Sequence, residues 1–274
     1  MIDFVKLNSR NQMILVDNST VNCEVSWFTK AVDNFSCYDE LRLDILQRIA
    51  VEYERASIGL DNGRLEVYFP SQVIYEMDNF ANKLEHKVRM FELVRDHQLE
   101  RRQRETAQAK YTRVELRKIG IWHEAIRDFA RNNEYAPFDE ENFKRLRDYI
   151  VKITKRDGIK RKRKEKTIPL EEQEVLYADR KIGRKKDYKA DEELVACAMS
   201  HIAVYNASCG ILTRNHHIRL ITKNVLKDML RTGKFPEVLE AIKRNPIWLY
   251  YSDPMPWEIN TDRMLAEAIA ENKI

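Results

Sequence analysis

Four short, largely apolar runs limit what this chain can fold into more than any other feature. They are Met13-Ile14-Leu15-Val16, Leu65 to Phe69, Cys209 to Thr213 and Ile247 to Tyr251. Each is too short for a helix, and none shows the sustained apolar–polar alternation of a sheet with one wet face, so each reads as a strand buried on both faces. The segments between them carry helical spacing instead: Leu41, Leu43, Ile45, Leu46, Ile49, Ala50 and Tyr53 after the first run, Val73, Ile74, Met77 and Phe80 after the second, and Leu194, Val195, Ala198, Met199 and Ile202 before the third. Further helices are expected around Ile218 to Leu230, near Pro236 to Lys243 and after Pro256. Strands alternating with helices predict an α/β fold, a parallel sheet flanked by helices.

The alternation stops for about a hundred residues in the middle of the chain. From Asn82 to Asn132 the sequence is nearly free of Gly and Pro and rich in Glu, Arg, Gln and Lys, with Leu84, Val88, Phe91 and Val94, then Val114, Ile119, Trp122, Ile126 and Phe129, at helical intervals. That pattern predicts long helices arranged as a hairpin, followed by a helix from Asp139 to Ile153. Lys155 to Lys166 then offers too few apolar groups to fold alone and reads as a flexible basic loop. A short acidic helix near Pro169 to Ala178 and a second basic cluster, Arg180 to Lys189, complete the interruption. The expected division is residues 1–83 and 187–274 for the α/β body, with a mainly helical basic insertion at 84–186. Charge follows this division: residues 84–190 hold 30 Lys and Arg against 20 Asp and Glu, and the remainder 18 against 24. An acidic body carries a basic appendage.

No stretch approaches the roughly 18 uncharged apolar residues of a membrane span, so no membrane partner is expected. The first residues lack a basic segment followed by a long apolar stretch, which points to a cytoplasmic location. Cys23, Cys37, Cys197 and Cys209 form no C-x-x-C pair and sit in or beside apolar segments, the pattern of small buried thiols rather than a zinc site. There is no internal repeat.

In open parallel sheets, functional groups collect where loops leave the carboxyl ends of the strands. Asp17 ends the first strand, Glu76 rides the helix after the second, Asp191 opens the helix before the third, and Asn215 follows the third by two residues. Taken singly, each has an ordinary reading: Asp17 a turn residue, Glu76 a solvated helix residue, Asp191 a helix N-cap. Together they are the one set of oxygen ligands at matching topological positions. Asp187, Glu192 and Glu193 are neighbours that could replace Asp191.

These segments resemble the motifs of PIN-domain nucleases. Ile14-Leu15-Val16-Asp17-Asn18-Ser19-Thr20 is similar to the first motif, Pro70-Ser71-Gln72-Val73-Ile74-Tyr75-Glu76-Met77 to the second, and Asp191-Glu192-Glu193-Leu194-Val195-Ala196 to the third. Gly210-Ile211-Leu212-Thr213-Arg214-Asn215 is similar to the fourth, where the family commonly has Thr-x-Asp. The resemblance covers roughly residues 12–83 and 187–252. It implies a PIN-like fold and an endoribonuclease that hydrolyses RNA phosphodiester bonds with Mg²⁺ or Mn²⁺. Asp17 and Asp191 would be metal ligands, and Glu76 a ligand or a water-orienting base. Asn215 departs from the family's acid; its amide oxygen can still coordinate metal or position a water, with one negative charge fewer. Ser19 and Thr213 are candidate supports, and His216 and His217 lie beside Asn215, where a phosphate contact or proton transfer is open to them.

The basic clusters argue for a nucleic-acid partner without reference to any family. Lys160, Arg161, Lys162, Arg163 and Lys164, with Arg184, Lys185 and Lys186, can neutralise phosphates and release counterions, giving sequence-independent, salt-sensitive affinity for RNA. A solvated loop or a targeting signal is the plain alternative for the first cluster. Tyr111, Trp122 and Tyr149 are candidates to stack on bases, although Trp122 sits in a helical apolar pattern that favours the core. Two other chemistries that open on a strand and a loop are set aside: a haloacid-dehalogenase-type site needs a second Asp where Ser19 stands, and a P-loop or dinucleotide fold needs a glycine-rich turn. The remaining alternatives are a weakly active or inactive PIN-like module that binds RNA or protein, and a structure-specific DNA nuclease. A homo-oligomer or a regulatory protein partner stays open.

Overall fold

The computed structural model describes residues 13–21, 32–61, 66–156, 190–215, 217–251 and 257–272. In chain order the elements are β1 (Met13–Val16), α1 (Asn18–Val21), a 3₁₀ turn at Tyr38–Glu40, α2 (Leu43–Asp61), β2 (Val67–Tyr68), α3 (Ser71–Glu100), α4 (Ala107–Asn132), α5 (Glu140–Arg156), α6 (Ala190–Tyr205), β3 (Cys209–Thr213), α7 (His217–Thr232), α8 (Pro236–Arg244), β4 (Ile247–Tyr251), β5 (Trp257–Asn260) and α9 (Thr261–Asn272). Residues 157–166 of the expected basic loop, the acidic helix expected near Pro169 to Ala178, the second basic cluster and His216 lie outside the described residues; Lys155 and Arg156, expected to open that loop, instead form the last turn of α5.

The strands form one sheet in the order β2-β1-β3-β4-β5. β1 pairs in parallel with β2 on one side and with β3 on the other, with Ile14 opposite Val67 and Val16 opposite Leu212. All four residues of β1 are buried, which explains why its sequence is apolar without alternation. β3 and β4 are also parallel. The sheet is nevertheless mixed, because β5 runs antiparallel to β4, with Trp248 opposite Asn260 and Tyr251 opposite Trp257. The sequence reading, a wholly parallel sheet with only a helix after Pro256, is corrected here. Only residues 252–256 separate β4 from β5, far fewer than the dozen or so that a parallel crossover needs, so the chain has to turn back on itself.

The outer side of β2 is covered by the chain leaving α4: the Phe69 N–H donates to the Asn133 carbonyl at 3.0 Å and the Tyr135 N–H to the Phe69 carbonyl at 2.9 Å. An exposed strand edge is a template for unwanted pairing, and this contact covers its Phe69 end.

α6 is the central helix. It packs against β1, β3 and β4 and is touched by α3, α5, α7 and α8. Every residue from Ala190 to Ser200 is buried, and its sequence is accordingly apolar on all sides beyond the first turn. The expected hairpin is present as α3 and α4. α3 runs unbroken from Ser71 past residue 84, and α4 packs on α2. Leu84, Phe91, Leu116, Ile119, Ile126, Phe143, Leu146 and Ile150 belong to the same hydrophobic core as the β1 residues. The helices of residues 84–156 therefore share the core of the sheet instead of standing off it. α5 is held at its end by Asp228 of α7, which accepts hydrogen bonds from Tyr149 at 2.6 Å and Arg156 at 2.8 Å. Trp122 packs against the core, while Tyr111 is largely exposed.

Candidate active site

The site forms where β1 and β3 end side by side. The Asp17 N–H continues the ladder by donating to the Leu212 carbonyl at 2.9 Å, so Asp17 leaves β1 directly beside Thr213. Asp17 is 3% exposed. Oδ2 accepts the Thr213 hydroxyl at 2.7 Å and the Ser19 hydroxyl as well. The two hydroxyls also take part in a second set of bonds: Ser19 Oγ accepts from the Arg214 N–H at 3.1 Å, and Thr213 Oγ1 from the Asn215 N–H at 2.8 Å. The Thr20 hydroxyl donates to the Leu212 carbonyl at 3.0 Å. Short polar residues after each strand thus sew the two loops together around one carboxylate. Ser19 and Thr213, both named from the sequence, hydrogen-bond the Asp17 carboxylate.

Asp191 reaches the same place from the first turn of α6 and is 2% exposed. Both its oxygens accept from Asn215 Nδ2, at 3.0 and 2.9 Å. Burial pushes the Asp17 carboxyl above its ordinary pKa, and the negative charge of Asp191 pushes it further; the Ser19 and Thr213 hydroxyls pull the other way without prevailing. Two acids from distant parts of the chain therefore act on one another.

Asn215 is placed with the set, in a definite orientation. Its Oδ1 accepts the His217 backbone N–H at 3.0 Å, at the start of α7. A backbone N–H can only donate, so the amide oxygen is fixed on that side and the NH₂ group faces Asp191. The sequence suggested an oxygen directed at metal or water; the structure gives a donor that steadies Asp191.

Glu76 is half-buried in the second turn of α3. Its Oε2 accepts from Asn18 Nδ2 at 3.3 Å, so it meets the pair through the residue next to Asp17. Among the described residues, no three Asp, Glu, His or Cys side chains are gathered as a metal-holding group. The centre is the Asp17–Asp191 pair, with Glu76 at its margin. The donor chemistry still suits a hard divalent cation: two carboxylates buried together repel, and an oxygen-seeking cation relieves that repulsion.

Two participants were not identified from the sequence. Asn18 joins Glu76 to the Asp17 loop. Glu193, weighed only as a substitute for Asp191, points elsewhere: Oε1 accepts the Ser71 hydroxyl at 2.9 Å and Oε2 the Gln72 N–H at 3.1 Å. Ser71, a residue type common at helix caps, does not cap α3. It is the first residue of α3, and Pro70 occupies the cap position with no side-chain acceptor. The signal for Glu193 was present in that proline, which leaves the helix start to be satisfied from outside.

No protein-family model, curated protein or solved structure matches the chain. Its chemistry rests on the side chains just described. Also among the described residues, no helix is long and apolar enough to cross a membrane, in keeping with the absence of an apolar span from the sequence.

Proposed function

We propose that this protein is a metal-dependent endoribonuclease with a PIN-like acidic site, hydrolysing RNA phosphodiester bonds with Mg²⁺ or Mn²⁺. One observation carries the reading: Asp17 and Asp191 are buried together at the carboxyl end of the sheet, between β1 and β3. With strand order β2-β1-β3-β4-β5 the chain moves to one side of β1 and then to the other, and such reversal points are where α/β sheets open a crevice for ligands. The resemblance of the four motifs to PIN nucleases supports the same assignment.

Asp17 and Asp191 would hold the cation. When bound, it supplies Lewis acidity toward a phosphate oxygen and lowers the pKa of a water. Ser19 and Thr213 keep Asp17 in one orientation, and Asn215 does so for Asp191. Glu76, less buried than either, is the group available to orient a water or receive its proton. Lys160 to Lys164 and Arg184 to Lys186 supply the positive charge that draws a polyanion to an acidic centre.

The experiment is cleavage of single-stranded RNA by the purified protein in Mn²⁺. Asp17→Asn should lower kcat/KM by more than about a thousandfold, beyond the loss expected for one electrostatic donor, with the circular dichroism unchanged. Undiminished cleavage by that variant would defeat the assignment. A second reading, an RNA-binding module that does not cut, is favoured by Asn215 occupying both Asp191 oxygens. RNA binding by the wild-type protein with no cleavage under Mg²⁺ or Mn²⁺ would select it.

A further inference from the structure

α3 begins without a cap of its own. The first N–H groups of any helix lack intrahelical partners, and Pro70 at the cap position offers none through its side chain. The Val73 and Ile74 N–H groups fall to the Pro70 carbonyl, at 2.9 and 3.2 Å. The Gln72 N–H goes instead to Glu193, whose other oxygen takes the Ser71 hydroxyl. Glu193 is 5% exposed, a carboxylate given over inside the protein to the start of a helix more than a hundred residues away in sequence. A negative charge is favoured there by the helix dipole as well.

The location of this clamp gives it a consequence for the site. Asp191 and Glu193 are two residues apart on α6, so they point to nearly opposite sides of that helix, about 200° apart. Asp191 faces Asn215 and Asp17; Glu193 faces α3. On α3, Glu76 follows Gln72 by four residues and lies on the same side of the helix. One turn of α6 thus holds Asp191 with one side and, with the other, the helix that carries Glu76.

We propose that Glu193 is a positioning residue: by tying the first turn of α3 to α6, it sets Glu76 in register with the Asp17–Asp191 pair. The role rests on the nuclease reading above. A helix is stiff over one turn, so a displacement of its start is passed on to Glu76, and misplacing a reacting group by about 1 Å can cost about a hundredfold in rate.

The test compares Glu193→Ala with Glu193→Gln. The glutamine keeps an oxygen for the Gln72 N–H, and its NH₂ can donate to the Ser71 hydroxyl, so the geometry survives without the charge. In Mn²⁺ with single-stranded RNA, Glu193→Ala should lose about 10- to 100-fold in kcat with KM changed less than about twofold, and Glu193→Gln should recover to within about threefold of wild type. Ser71→Ala, which removes one of the two bonds, should shift kcat in the same direction by less, and serves if Glu193→Ala does not fold. Amide hydrogen exchange over residues 72–76 supplies a readout independent of activity: faster in Glu193→Ala, unchanged in Glu193→Gln. Wild-type kcat in folded Glu193→Ala overturns the positioning role, and unchanged exchange overturns the clamp. A wild-type protein that does not cleave RNA overturns the nuclease reading and the positioning role with it, while exchange still measures the clamp.

Discussion

Replacing Asp17 with Asn should make the metal-free protein more stable while removing its activity. Asp17 is almost fully buried, and the Asn carboxamide oxygen can take the place of Oδ2 and accept the same Ser19 and Thr213 hydroxyls. Hydrogen bonds to a charged group contribute about 1 kcal/mol more than neutral ones, so neutralising the acceptor of two such bonds loses about 2 kcal/mol. Against this, a buried ion carries an effective penalty of several kcal/mol even after relaxation, and Asp191 adds repulsion. The upward displacement of the Asp17 pKa shows which side prevails. The expected gain is about 2 kcal/mol, or about 4–8 °C in Tm for a chain of this size. The sign with pH follows. An acid whose pKa is raised on folding contributes its full stability below the unfolded value of about 3.9 and loses it as pH rises through the folded value. Wild type and Asp17→Asn should therefore converge below about pH 4 and separate above it. The assay is thermal melting in EDTA across that range, repeated with Mn²⁺ at pH 7.5. A cation at a hundred times its Kd adds about 2.7 kcal/mol to a protein that binds it only when folded, so Mn²⁺ should raise wild type and leave the variant unmoved. A variant less stable than wild type in EDTA at pH 7.5, or equal stabilisation of both by Mn²⁺, would refute the reasoning.

Two further outcomes are expected. His123 is buried against Tyr53 and Phe80, and burial, with the Arg127 charge, pushes its pKa down to about 4. The unfolded chain takes up that proton near pH 6.5, so stability should fall by about 3 kcal/mol as pH drops from about 6.5 through 4; His123→Phe should flatten this limb in urea titrations, and an unchanged limb would assign it to other groups. Substituting Gln at Lys160, Arg161, Lys162, Arg163 and Lys164 should reduce the slope of log affinity against log salt for single-stranded RNA by up to about 3.5, and an unchanged slope would remove this cluster from the binding surface.

The sequence by itself determined the local elements and the list of chemical candidates. β1, β3 and β4 were legible because a strand buried on both faces needs consecutive apolar residues, and α4, α5 and α7 because a helix that buries one side repeats its apolar residues near every third or fourth position. Asp17, Asp191, Ser19 and Thr213 were legible because strand ends and helix starts are read from the same patterns. β5 was not: Trp257-Glu258-Ile259-Asn260 alternates apolar and polar, but the run is only four residues and passes directly into α9, and its direction depends on how few residues separate it from β4. Tertiary structure alone decided that Asp17 and Asp191 share a charge environment, that Asn215 turns its NH₂ group and not its oxygen toward Asp191, that Glu76 stands one residue aside through Asn18, and that Glu193 serves a helix start instead of the acidic centre. The reason is physical. Period and burial are properties of a segment and are written along it, whereas the direction of a side chain is set by whichever donor or charge the fold brings against it from elsewhere in the chain.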